Sequence, residues 1–216
     1  KSSYYLSVED YTSALEVNFK NLDFIVSNIN DNNFYYEDAC SSISNVYEKM
    51  GDGENSIKWD LKSIKVLEDM NPSPKTKKML SVAYSNISQL YRNLLNDPEN
   101  CLKYAKMSLE LKNPAQEKSY GISLYSLARA YDFSGHAKQA IEYFKKADPF
   151  FPESTTKDIY HKNVLKLNLG ISYHSIDKKE AMKILKDVVK DLKTDRFKNY
   201  ISTNIKNRIS DAEKLF

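Results

Sequence analysis

Three histidines, His136, His161 and His174, and two cysteines, Cys40 and Cys101, are the side chains here best suited to proton transfer, nucleophilic attack or metal binding. A helical zinc site needs two histidines one turn apart with a glutamate between them, and no two of these histidines stand at that spacing. The two cysteines are too few for a disulfide scaffold and do not form a metal-binding pair. Each falls where a helical pattern asks for a small apolar residue, which reads as a buried free thiol. No glycine-rich phosphate loop follows a strand, because the chain has no strand pattern. The expectation is a chain without catalytic residues, metal or cofactor, and not an enzyme.

What recurs instead is hydrogen-bonding capacity. Asn45, Gln89 and Arg129 each stand two residues before a tyrosine, and Ile171 holds the matching place before Tyr173. One turn earlier the same line reads Ser41, Ser85, Tyr125 and Leu167. Just after the tyrosine it reads Glu48, Arg92, Asp132 and His174. Amides and guanidinium groups can bond the main chain of an extended peptide, which offers one donor and one acceptor per residue.

The elements that would position these side chains follow from the tyrosines. Tyr5, Tyr47, Tyr91, Tyr131 and Tyr173 are separated by 42, 44, 40 and 42 residues, a nearly constant period. Only 5 Gly and 6 Pro in 216 residues favour long helices over tight-turned strands. Around each tyrosine, apolar residues recur at spacings of three and four, as in Cys40, Ile43, Val46 and Tyr47, or Leu80, Tyr84, Ile87, Leu90 and Tyr91. Turn signals divide the helices. Gly51-Asp52-Gly53 offers a left-handed helix end, and Pro72 and Pro74 forbid continuation. Asp97 is placed to cap a helix with Pro98 in its first turn. Relative to the other repeats, one residue is inserted near Asp97 and one deleted near Asp177.

The clearest repeat is Gly121 to Pro152: Leu124, Leu127, Ala128 and Tyr131, then Gly135, then Ala140, Phe144, Ala147 and Pro152. This pattern resembles the tetratricopeptide repeat, with Ala128 in place of its first glycine. Leu169, Gly170 and Tyr173 restore the Leu-Gly-x-x-Tyr core in the next repeat, and serines (Ser44, Ser56, Ser63) replace small residues in an earlier one. The long period is similar to that of the kinesin light chain group and of bacterial peptide-sensing regulators. The resemblance implies an all-α fold, a right-handed superhelix of antiparallel helix pairs. A single domain over 1–216 is expected: a partial repeat at 1–30, repeats near 34–71, 75–113, 115–152 and 156–193, and a C-terminal helix over 196–216.

In such a solenoid the first helices line the concave face. The resemblance therefore implies a non-enzymatic scaffold for a protein or extended peptide, with Asn45, Gln89, Tyr125, Arg129, Arg92, Asp132 and His174 in the groove. The competing reading has these side chains solvated or paired among themselves. Ser41 and Ser85 stand where chaperone-tail-binding members carry Lys, which argues against that ligand. The interrupted first repeat and the Lys, Asn, Ile and Tyr-rich composition, which resembles AT-rich bacterial genomes including Bacteroidetes, favour the sensor part of a larger signalling or transcription-regulating protein. The apolar stripe from Phe197 to Phe216 offers self-association as a further role.

Charge and hydropathy narrow the partners. With 32 basic and 29 acidic residues the net charge is +3, which gives no reason to expect nucleic acid. The clusters Lys75 to Lys78 and Lys178-Lys179 read as solvated residues flanking turns. Asn86-Ile87-Ser88 matches a glycosylation sequon, but the pattern puts it inside a helix core. No run approaches the roughly 20 apolar residues of a membrane span. The compartment is left open between cytoplasm and periplasm.

Overall fold

The computed structural model describes residues 2–29, 33–115 and 117–215. Among these residues there is no strand, and the helices run as consecutive antiparallel pairs. The pairs are α1 (Ser2–Ser7) with α2 (Tyr11–Asn28), α3 (Phe34–Met50) with α4 (Gly53–Asp69), and α5 (Pro74–Asn93) with α6 (Pro98–Glu110). They continue with α7 (Glu117–Phe133) and α8 (Ala137–Ala147), then α9 (Thr156–His174) and α10 (Lys178–Leu192), and close with α11 (Thr203–Glu213). The helices divide into two compact units, Lys1–Lys112 and Asn113–Phe216. Within each unit the second helix of one pair packs on the first helix of the next: α2 on α3, α4 on α5, α8 on α9.

The second helices begin where aspartate can cap them. Asp10, Asp52 and Asp97 accept from the backbone N–H groups of Ser13, Asn55 and Asn100 at 3.0, 3.1 and 3.0 Å. Asp177 accepts from both Lys179 and Glu180. These bonds hold the Asp10, Asp52 and Asp97 carboxyls below the ordinary aspartate range, side-chain bonds to Ser13, Asn55 and Asn100 being the leading cause. First helices α3, α5 and α9 are capped by Asn33, Ser73 and Thr155.

The periodic tyrosine marks a main-chain contact. In all five pairs its carbonyl accepts from the N–H of the residue that caps the second helix: Tyr5 from Asp10, Tyr47 from Asp52, Tyr91 from Asp97, Tyr131 from His136 and Tyr173 from Asp177, at 2.7–2.9 Å. The residue just before the cap is left-handed in the three turns of ordinary length, at Glu9, Gly51 and Gly135, and also at Asn96 (φ 52°) in the third turn, which carries the inserted residue.

Where two helices of a pair cross, only small residues fit. Ala128 and Ala140 are fully buried in the fourth pair, and a Cβ on Gly170 in the fifth would lie 2.6 Å from Leu185. Serines do this work in the earlier pairs by bonding across the crossing. The Ser44 and Ser56 hydroxyls each donate to the other's carbonyl, at 2.9 and 3.1 Å, and Ser88 donates to the carbonyl of buried Cys101 at 2.8 Å. Ser81 and Ser108 make a second reciprocal pair. Cys40 is likewise a buried free thiol.

Several expectations shift. Lys75 to Lys78 and Lys178-Lys179 lie in the first turns of α5 and α10, because Ser73 and Asp177 start those helices earlier than the lysine runs suggest. Asn86 is exposed on α5, while Ser88 of the same sequon is buried. The stripe expected as one helix over 196–216 is broken: a 3-10 turn at Asp195–Phe197 precedes α11, and Phe216 lies outside the described residues. Phe197, Ile205, Ile209 and Ala212 are buried against Leu185, Val188 and Leu192 of α10 and Tyr160 and Leu167 of α9. The apolar side proposed for self-association is thus already covered by the chain's own core. No described helix is long and apolar enough to cross a membrane.

Candidate functional site

The first helices carry the side chains on which a groove would depend, and the two units furnish that face differently. In the second unit α7, α9 and α11 are tied by a polar network. The Tyr125 hydroxyl accepts from Asn168 Nδ2 at 2.8 Å and from Arg129 Nη1 at 3.3 Å. Asp132 accepts from the Ser172 hydroxyl at 2.6 Å through one oxygen and faces Arg208 Nη2 at 3.5 Å through the other. Arg208 comes from α11, so a single carboxylate on α7 meets side chains of both α9 and α11.

This network is short of partners. Asn168 is fully buried, and its Oδ1 has no hydrogen bond; Nε of Arg208 has none either, and its Nη2 has only the ion pair with Asp132. Burial lowers the affinity of Arg208 for its proton, and the like charge of Arg129 adds to the effect, while Asp132 opposes it. Three of the seven expected contact residues, Tyr125, Arg129 and Asp132, therefore come together.

The others are placed less uniformly. Asn45 is exposed on α3. Gln89 is half-buried and donates to the carbonyl of Ser85 one turn back, at 3.3 Å. Arg92 donates to Asn93 at 3.3 Å. His174 is half-buried in the last turn of α9. Leu167, on the same line as Tyr125, is fully buried in the core, because α9 also receives α11 on that side. Ile171 packs against the same cluster.

In the first unit a cleft of about 360 Å³ opens between α3 and α5. Glu37 and Ser41 line it from α3, and Lys75, Lys78, Met79 and Val82 from α5. Glu37 is only 7% exposed, and one of its oxygens accepts from Ser63 at 2.9 Å and Ser41 at 3.2 Å. Burial pushes its pKa up, against those two bonds. The sequence line of Asn45 and Ser41, carried one turn further back, arrives at Glu37; that extension was the available signal. Arg208 and Asn168 gave none, since each stands inside an otherwise ordinary helical pattern.

Among the described residues no group of three or more His, Cys, Asp or Glu side chains is placed to hold a metal. His136 caps α8 without a side-chain bond and stands edge-on to Tyr131, and His161 packs on Tyr160.

The pairwise helices, the small-residue crossings and the first-helix face define a tetratricopeptide-like α-solenoid. Residues 122–148 match the family model described as "Tetratricopeptide repeat". No curated protein matches the chain in sequence. Among solved structures, the apo form of RapI is similar over 99% of this chain and 61% of its own, at 15% identity and a TM-score of 0.75. A putative kinesin light chain of Podosopora anserina with nearly identical TPR-like repeats matches over 90% of this chain and 93% of its own, at 12% identity and a TM-score of 0.71. BtubC (BKLC) from P. vanneervenii matches over 95% and 84%, at 12% identity and a TM-score of 0.67. At these identities the likeness is one of fold.

Proposed function

We propose that the chain is a non-enzymatic scaffold that binds a protein partner through an extended peptide segment laid along its first helices. The fold is one generally used for protein–protein contact, and the carrying observation is the polar network of α7, α9 and α11. Buried Asn168 and the Asp132–Arg208 pair hold in place the half-exposed Tyr125 and Arg129, the members a peptide can reach. A peptide backbone supplies acceptors for the Arg129 guanidinium and both donors and acceptors for the Tyr125 hydroxyl.

The test is selection from a display library of random 12-residue peptides with the full chain as bait. Enriched peptides are expected to lose at least tenfold in affinity on Arg129→Ala, or on Gln89→Ala for those seated on the first unit. Peptides whose binding ignores both substitutions would move the site elsewhere, and a library that yields no binder would overturn the reading.

A further inference from the structure

The cleft between α3 and α5 carries a more specific chemistry than the face as a whole. Glu37 is its deepest side chain, 93% buried by the exposure of 7% given above. Two serine hydroxyls share one carboxylate oxygen, and among the described residues the carboxylate has no ion pair. The Lys75 ammonium sits over the Phe34 ring, 3.7 Å from its centroid, and makes no direct ion pair with Glu37, although its charge acts on that carboxylate from a distance. Met79 and Val82 supply an apolar wall beside the carboxylate, and Val82 is 47% exposed.

Resting on the scaffold reading, we infer that this cleft receives a basic side chain, lysine or arginine, of the bound protein segment. Its alkyl stem would lie on Met79 and Val82 and its charged head on Glu37. Long basic side chains suit such a mixed slot because their stems are apolar and only their heads are charged. The charges at the mouth do not reverse this preference. Lys75 and Lys78 are exposed and act through water, whereas Glu37 acts through a partly desolvated floor, where a charge pair is about fourfold stronger at equal distance. Asp38, on the same helix, adds to the negative potential at Glu37, and Lys75 acts in the opposite sense.

The experiment uses the full chain labelled with ¹³C-methyl methionine, the Met79 signal being assigned by Met79→Leu. Three probes are titrated in turn: N-acetyl-lysine methylamide, its uncharged norleucine analogue and its glutamate analogue. The lysine probe should shift the Met79 methyl signal with saturation at about 1 mM, as expected for a ligand of this size. The norleucine probe should bind at least tenfold more weakly, and Glu37→Gln should abolish the difference between the two. Equal binding of lysine and norleucine probes would overturn the inference, as would binding of the glutamate probe alone. So would unchanged lysine binding in a Glu37→Gln protein whose circular dichroism matches the parent. Should the lysine probe fail while displayed peptides still bind through Gln89 or Arg129, the cleft assignment falls and the scaffold reading stands.

Discussion

Replacing Asp60 by Asn should stabilise the protein, and more so as pH rises. Asp60 lies on α4, 8% exposed, with no ion pair among the described residues. Burial raises its pKa to about 7; Glu48 and Glu37 push the same way, and a bond with Ser44 opposes them. The unfolded chain would titrate near the ordinary aspartate value of about 3.9. Because the folded pKa is the higher one, the folded state holds the proton more tightly. Stability from this group is full below about pH 4 and is lost as pH rises towards 7. Three pKa units at about 1.4 kcal/mol each give a loss of about 4 kcal/mol at neutral pH and above. Asn removes the charge and keeps the size; imperfect bonding of its amide reduces the gain. The expected gain is about 2–4 kcal/mol near pH 8, or a rise in melting temperature of roughly 5–15 °C for a chain of this length. Urea unfolding followed by circular dichroism at about pH 8 and pH 4 reads it directly. A variant no more stable than the parent at pH 8 would refute the reasoning. A gain of equal size at both pH values would assign it to packing or helix propensity instead.

Two further outcomes follow from the helix crossings. Gly170→Ala places a Cβ 2.6 Å from Leu185 Cδ2, inside a core where Leu185 is 1% exposed; overpacking should cost about 1–3 kcal/mol in thermal unfolding, and a neutral result would mean that α10 can slide freely. Ser81→Ala and Ser108→Ala should each cost about 1 kcal/mol, because each removes a buried hydroxyl-to-carbonyl bond across the crossing, while the double variant should cost less than their sum. Strict additivity in that cycle would show that the two hydroxyls do not act as a pair.

The helical pairs were legible because their signals are local. A tyrosine at nearly constant period, aspartates before four of the five second helices and apolar spacings of three and four all act within one or two turns. Even the inserted and deleted residues at the third and fifth turns show in the tyrosine-to-cap interval. The site was legible only in part, for reasons of distance along the chain. The line through Tyr125, Arg129 and Asp132 could be drawn on one helix, but its partners Asn168, Ser172 and Arg208 arrive from later helices. The same line failed at Leu167, where the packing of α11 on α9 turns a groove position into core. Glu37 lay one turn beyond where that line stopped, and its burial comes from Ser63 on the neighbouring helix.

The bond between each periodic tyrosine's carbonyl and the following cap is made entirely of main chain. A substitution at the tyrosine changes what its ring packs against, but leaves the joint itself intact. The joint also closes over intervals of different length, five residues from Tyr47 to Asp52, six from Tyr91 to Asp97 and four from Tyr173 to Asp177. A repeat can therefore drift in sequence, and gain or lose a residue at its bend, while the two helices keep meeting at the same place. Such tolerance lets five helix pairs share one architecture while residues 122–148 are the stretch that matches the repeat model.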